Sequence, residues 1–591
     1  MRQQWAAHFL EEWQADAGRF ATWSGELYLE RHEGTLTTEA RNKWYNRKLE
    51  LALRELEWTA VVAGLTTSTD YPGERLEKLW QEVLLYQFHD ILPGSSIKRV
   101  YDESLARYAE MHREATERIA ANDAELAATI NTGRMAQPVL VRNSLSWERT
   151  EWVQARGRWV KATVPPMGYH LVDAATSPFV IASEGQRRLL AEAKQSPDEG
   201  ADCFVLKDAG AIASFDSAQD APRDDAMPGL AATESTLEND VLRVSFDSDG
   251  SIASVYDKRA RREVIAEGER ANRLAVYADL GDAWDFPMDY AAQTPRFMQL
   301  VAATARLDGP RAMVEQVYRI GHSELTQEIV LTAGSSRLDF VSKLRWREPR
   351  TMLRTSFPVA IHADEATFDI QFGHIRRPTH RNTTWDLARD EVAAHKWADL
   401  SQGDYGCALL NDSKYGHKVK GNVLDLNLLR SVPYPGPRLV RDADVTAGEP
   451  HHAYTDQADH IFTYALLPHQ GDHIAGGVIR AGYELNVPLR VLAEGVGGGD
   501  GPISASFVEV DAPNVIIEAV KKAEDGDDII VRLYESEHKA ARACLRFGFP
   551  IRAAAEVNLM EEAPAPLSVR ANGVTLDFRP FEIKTVRVTH A

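Results

Sequence analysis

The spacing of apolar residues changes once along this chain, near residue 130, and that change limits the fold more than any other feature. Before it, apolar side chains recur every three or four residues. From Lys48 one stripe runs Leu49, Leu53, Leu56, Ala60 and Ala63, with Gly64 a natural stop. A second stripe carries Leu76, Leu79, Trp80, Val83 and Leu84. A third carries Ile97, Tyr101, Leu105, Tyr108, His112, Ala115 and Ile119, with Ser95 or Ser96 placed to cap it. Three amphipathic helices with short connections bury their stripes against one another, which predicts a three-helix bundle over 26–130. After "NTGRMAQP" the period drops to two. "PVLVRNSL", "WVQARGRWVKATVP", "LRVSFDSDGSIASVYDK" and "LDFVSKLRWRE" have strand composition, and Asp249-Gly250 supplies a hairpin turn. Strands without intervening helical patterns predict antiparallel β-sandwich domains, more than one over this length. The predicted fold class is therefore multidomain, α then β.

Composition places the finer boundaries. "ASFDSAQDAPRDDAMPG", residues 213–229, is acidic and has little to bury, so it is predicted to be a disordered insertion. It would follow a first β domain over 135–212 and precede a large β-sandwich domain over 230–494. The glycine-rich "GVGGGDGP" at 495–502 lacks the Lys-Ser/Thr of a phosphate loop and is expected to be a linker into a C-terminal β-sandwich over 503–591.

The net charge of −20 argues against nucleic acid, because neutralising phosphates takes an excess of Lys and Arg. The three cysteines, Cys203, Cys407 and Cys544, are far apart and imply neither a disulfide framework nor a thiolate zinc site. The start "MRQQWAAHFLEEWQADAGRF" has no apolar core of a signal peptide, and no run approaches the roughly 18–20 apolar residues of a membrane span. A cytoplasmic protein with no membrane contact is the expectation.

"QEVLLYQFHDILPGSS" sets His89-Asp90 at the end of the second stripe. Taken as one helix over 76–90, its bundle-facing residues leave His89 on nearly the opposite side, one turn after Leu85. His89 is then either a partly exposed histidine favoured by the helix dipole or a ligand facing a domain interface. Catalytic zinc takes about three protein ligands. His362-x-Asp364 and His451-His452 have the right residue types, but their turn and loop settings suit solvated side chains.

Longer motifs carry a resemblance. "GELYLERHEGTLTTEARNKWYNRKLE", "LWQEVLLYQFHDILPGSSIKRVYDES", "LENDVLRVSFDSDGSIASVYDKRARREVI", "GDAWDFPMDY", "FDIQFGHIRRPTHRNTTWDLARDEVAAHKWADL" and "HIFTYALLPH" together resemble the α-mannosidases of glycoside hydrolase family 38, in their bacterial and fungal cytosolic and vacuolar branch. The resemblance implies an N-terminal seven-stranded β/α barrel, a three-helix bundle and β-sandwich domains. It implies retaining hydrolysis of terminal α-mannose from glycans, with one active-site zinc as cofactor. His89 matches the zinc ligand of the family's His-Asp motif, and Asp90 matches the carboxylate that bonds substrate hydroxyls. A metal on the 2- and 3-hydroxyls of mannose favours ring distortion toward an oxocarbenium-like transition state.

The other zinc ligands, the nucleophilic Asp and the acid/base Asp belong to barrel strands that would precede Trp23. Residues 1–25 look like the residual end of that barrel, so no catalytic residue is assigned, and tight zinc binding and hydrolysis by this chain alone are not expected. Its partners are expected to be α-mannoside glycans and a barrel half, with a homo-oligomer implied by resemblance only. Glu26, Tyr28 and His32 in "GELYLERHEGT" lie at the barrel–bundle border and suit either substrate contact or interdomain hydrogen bonds. Trp284 and Asp285 suit a sugar contact of ring face plus carboxylate, or a structural tryptophan. Arg377, in "RRPTHRN", is polar enough for a glycan or an interface. The alternative function is a non-catalytic carbohydrate-binding or assembly module.

Overall fold

The computed structural model describes residues 5–176, 179–180, 227–435, 453–493 and 495–590. Most of the predicted insertion at 213–229, the second half of the predicted first β domain and His451-His452 lie outside the described residues.

Helix α1 (Ala6–Gln14) buries no residue. The bundle consists of α2 (Ala40–Thr67), α3 (Gly73–Tyr86) and α4 (Lys98–Ala128). Leu49, Leu53 and Leu56 meet Leu76, Leu79, Val83, Met111, Ala115 and Ile119 in one core. The predicted stripes therefore face each other. Helix α2 does more than they require. Its polar face is buried as well, with Asn46, Arg47, Arg54 and Glu55 packed away from water. Arg47 donates to the Tyr415 hydroxyl and to Asn486, and Arg54 donates to the carbonyls of Glu518 and Ser144. Each of these partners belongs to a β domain, so α2 is a pillar wrapped on all sides.

Two local expectations fail. Helix α3 ends at Tyr86, where Gln87 N–H bonds back to the Val83 and Leu84 carbonyls, and the chain then makes successive turns to Gly94. His89 is on a turn, not a helix. Ile97, not Ser95 or Ser96, precedes α4, because both serines are bonded to Asp90 instead.

After α4 the strand ladders are antiparallel. The first β domain holds a four-stranded sheet in the order 490–492, 138–143, 168–173, 504–506. Two of its strands thus come from segments expected to belong to the large domain (230–494) and the C-terminal sandwich (503–591), because each completes the edge of this sheet. The predicted linker is not free: Gly501 N–H bonds Thr129 O at 2.9 Å and Asn131 N–H bonds Gly501 O at 3.0 Å. A Cβ on Gly499 would lie 2.0 Å from Thr129 O. Glycine here permits close packing on the end of α4 rather than freedom.

The large domain stacks a nine-stranded sheet, running from 299–308 at one edge to 373–378 at the other, on smaller sheets of six and five strands. Phe340, Trp346, Leu353, Phe357, Leu426, Phe462 and Tyr464 fill the space between. The turn at Asp249-Gly250 forms as predicted, with Gly250 at φ 82° and the Tyr318 hydroxyl 2.3 Å from where its Cβ would be. The C-terminal sandwich pairs a five-stranded sheet with a three-stranded one.

Glu55 ties bundle to first β domain. Its carboxylate accepts from Arg142 Nη1 at 3.0 Å and from Arg490 at 2.8 Å, and Arg142 also meets Asp123 of α4. Burial pushes the Glu55 carboxyl up, but Arg490 and Arg142 outweigh it and hold it at about 2. The folded value lies below the ordinary one, so this stabilisation is present above about pH 4.5 and lost as pH falls toward 2. Burial pushes Asp123 the other way, so its contribution is lost as pH rises past its ordinary value and partly offsets that of Glu55. Removing one partner of such a pair leaves a buried charge uncompensated. Arg142→Met is expected to lower unfolding stability by about 3–5 kcal/mol, followed by circular dichroism in denaturant. An unshifted transition would show that the network contributes nothing.

Candidate active-site wall

Residues 26–38 form a strap across one end of the large domain. Glu26 is clamped by Arg377 through two bonds, at 2.8 and 2.6 Å, and the bond to Arg377 holds its carboxyl below the usual range despite burial. The Tyr28 hydroxyl donates to Glu33 Oε1 at 2.7 Å and lies 2.5 Å from Glu391 O. Burial pushes the Glu33 carboxyl up to about 7, against the bond from Tyr28. His32 adopts a left-handed conformation (φ 66°), and its N–H donates to Asp285 Oδ1 at 2.5 Å.

The strap ends at Thr38, which is fully buried and is the hub of this face. Its hydroxyl lies 2.8 Å from Gly34 O and 3.0 Å from Ala283 O, and accepts from Arg430 Nη1 at 2.9 Å. Arg430 also holds both oxygens of Asp279, at 2.8 and 3.1 Å, and the carbonyl of Asp285 at 3.0 Å. Position 34 must be glycine, since a Cβ there would sit 1.9 Å from Arg430 Nη1. On its other side, the Thr38 carbonyl accepts from Lys43 Nζ, which also reaches Leu92 O at 2.8 Å. Gly94 packs so closely on Thr38 that a Cβ would lie 2.7 Å away. Two loops far apart in sequence, 87–96 and 279–290, thus rest on one residue.

Each loop presents polar groups. In the first, Ser95 Oγ donates to Asp90 Oδ1 at 2.9 Å, and the Asp90 carbonyl accepts from Ser96 Oγ and the Tyr101 hydroxyl. Asp90 is fixed. The His89 ring lies against Phe88, 3.6 Å from Asp90 Oδ2, with its side chain 78% exposed. In the second, Asp282 Oδ1 accepts the N–H groups of Trp284 and Asp285, while Phe286 and Tyr290 anchor the loop in a small apolar cluster. Exposed apolar side chains lie on or next to both loops, Leu84, Leu85 and Phe88 by the first and Leu280 and Met288 by the second, and Trp385 lies exposed beside Trp23.

His32 and Asp285 are therefore in contact, Glu26 and Arg377 are bonded to each other, and His89-Asp90 and Trp284-Asp285 share the Thr38 seat. The donors of Arg377 are taken by Glu26 and Ala393 O, and the Tyr28 hydroxyl is taken by Glu33. For Glu26, Tyr28 and Arg377 this geometry favours the interdomain reading over substrate contact. Of the candidate residues, His32 and His89 are exposed, and Asp90 and Trp284 are half-buried. Among the described residues no three His, Cys, Asp or Glu side chains are placed to hold a metal ion. His89 and Asp90 alone fall short of the three protein ligands that catalytic zinc takes. Sequence reasoning missed Thr38, Asp279 and the role of Arg430. None carries a spacing signal, and only the buried Arg–Asp pair betrays them.

Thr38→Val would take the acceptor from Arg430 Nη1 and the hydroxyl from the Ala283 carbonyl, while the Gly34 carbonyl keeps the N–H groups of Thr37 and Thr38. It is expected to cost about 1–3 kcal/mol and to speed amide hydrogen exchange in both 87–96 and 281–288. A response in only one loop would refute the shared seat.

Three family descriptions match in chain order: the alpha mannosidase middle domain over residues 30–126, the glycosyl hydrolases family 38 C-terminal domain over 237–438, and the family 38 C-terminal beta sandwich domain over 514–586. Alpha-mannosidase 2C1 of Mus musculus is 34% identical over 97% of this chain and 51% of its own length. Alpha-mannosidase G of Dictyostelium discoideum is 30% identical, over 98% of this chain and 54% of its own. The chain thus spans about half the length of the curated relatives it matches. The crystal structure of an alpha-mannosidase from Enterococcus faecalis shares the fold, with a TM-score of 0.73 at 16% identity, covering 98% of this chain and 72% of that one. Among the described residues no helix is long and apolar enough to cross a membrane. The chain belongs to glycosyl hydrolase family 38, of which it carries the middle and C-terminal domains.

Proposed function

We propose that this chain is one wall of a zinc-dependent, retaining α-mannosidase that removes terminal α-mannose from glycans in the cytoplasm, and that it works only with a catalytic barrel. The observation that carries this reading is the turn at 87–96. It fixes Asp90 with two serines and a tyrosine while leaving His89 projecting, beside apolar side chains that nothing in the described residues covers. Large apolar side chains left exposed together suit an interface.

The barrel that the family resemblance implies fits it on two grounds. The relatives are about twice as long as the matched region. Exposed apolar side chains also accompany both loops, Leu84, Leu85 and Phe88 the first and Leu280 and Met288 the second. In this reading His89 supplies one zinc ligand and the barrel supplies the others, together with the nucleophile and acid/base carboxylates, about 5–5.5 Å apart for retention. No step is assigned to the metal here, because this chain does not complete its site. Asp90 accepts a bond from a sugar hydroxyl, and its fixed oxygen loses little freedom on binding. The Trp284 ring suits the C–H face of the sugar. The exposed apolar side chains seat the barrel and keep water from the cleft between.

The test is reconstitution. The chain alone is expected to show no turnover of an aryl α-mannoside, and to gain zinc-dependent turnover when mixed with a separately expressed barrel half. His89→Ala is expected to lower that turnover at least a hundredfold, and Leu85→Glu to weaken association of the halves at least tenfold with the circular dichroism unchanged. Full activity of the His89→Ala mixture would rule out the ligand role. Retention of the chain on immobilised mannosides without turnover in the mixture would favour the carbohydrate-binding module instead.

A further inference from the structure

Where the C-terminal sandwich docks on the large domain, five aromatic rings form a column across the interface. His538 stacks on Phe581 at 4.7 Å, both from the C-terminal sandwich. Phe581 meets His374 edge-on at 5.0 Å, His374 meets His473 at 4.5 Å, and His473 stacks on Trp397 at 5.5 Å. The last three belong to the large domain. His374 lies on its edge strand and His473 in the turn before the helix Val478–Asn486. Gly373 lets Phe581 approach, since a Cβ there would sit 3.0 Å from its ring.

The two central imidazoles have buried nitrogens with no hydrogen-bond partner, Nδ1 of His374 and Nε2 of His473. A neutral imidazole tolerates this, but a cation does not. The surroundings of the two rings differ. His473 faces Asp399 and Asp472 as well as Arg376 and His469, and Asp399 is already bonded to His469 Nε2 at 2.7 Å and to Ser401. His374 faces His473, Arg376 and His538, and its bond is to the backbone of Ser536. The largest charge influences on it all come from bases. The nearby Glu535 carboxylate offers no relief, since it is engaged by the N–H groups of Asn514, Glu537, Lys539 and Phe581.

We propose that this column is an acid-sensitive clasp between the large domain and the C-terminal sandwich, closed while His374 and His473 are neutral and opened locally when His374 takes up a proton. Burial and the neighbouring bases hold the His374 imidazole down at about 4 in the closed form. An opened, hydrated ring returns to about 6.5. Between these values the open form binds the proton and the closed form does not, so opening is favoured progressively as pH falls from about 6.5 to 4. For one such histidine the opening constant rises about twentyfold between pH 7 and pH 5. The rest of the docking surface, including Arg54 on Glu518 O and Tyr483 on Glu518, is not built on histidine and keeps the sandwich attached.

Hydrogen exchange of the full chain, corrected for the intrinsic pH dependence of the chemistry, tests the clasp. Segments 371–377 and 535–540 are expected to lose protection about twentyfold from pH 7 to pH 5, while 338–345 in the central sheet does not change. His374→Phe together with His473→Phe keeps an all-ring column and should abolish the pH dependence. If that pair perturbs the fold, His374→Gln alone should do the same. An equal loss of protection in the variants, or none in the parent chain, would overturn the proposal.

Discussion

The exposed face built by the loops 87–96 and 279–290 depends on a guanidinium that water never reaches. Arg430 and Asp279 are both fully buried and joined through two bonds, and the remaining donors of Arg430 are spent on Thr38 and the Asp285 carbonyl. Burying such a pair gains little stability over an apolar substitute, but breaking it strands a charge. What the pair does gain is position. A rigid fork of donors can be satisfied in only one arrangement of the loop 279–290 relative to the strap and the 87–96 turn. A chain with an apolar plug at position 430 could fold and still leave those loops free to shift against each other.

The same economy runs along α2. One face packs in the bundle as any amphipathic helix does, and the other holds Arg47, Arg54 and Glu55 in bonds to three separate β regions. These residues look like solvent-facing positions of a surface helix, yet each is buried with a partner. A helix dressed this way registers domains against one another, because each charged group accepts only the partner that satisfies it.

Legibility in the sequence divides along this line. The three stripes, the switch to strands near residue 130 and the Asp249-Gly250 turn could be derived, because periodicity reports which faces avoid water. The second buried face of α2 could not, since buried and exposed charges are written with the same letters. His89 stands out in the sequence, but the leucine stripe sets it on a helix. The leucine run gives no sign that Asp90 draws both serines and ends the helix at Tyr86. Thr38 is the clearest loss. It is one threonine among many, and its importance comes from contacts with residues about 245 and 392 positions away. The ligand role proposed for His89 rests on family motifs and not on spacing.

The pairing of 138–143 with 490–492, and of 168–173 with 504–506, has a consequence for the chain as it is made. A growing polypeptide emerges from the N-terminus at roughly 5–20 residues per second. Arg142 is synthesised 348 residues before its cross-strand partner Arg490. The early strands therefore wait roughly 20–70 seconds with open edges, while the whole large domain is added between them. An unpaired edge is a template for wrong partners. The short length of these strands, and the early burial of one face on the bundle, are then features of safe passage through synthesis as much as of the finished fold.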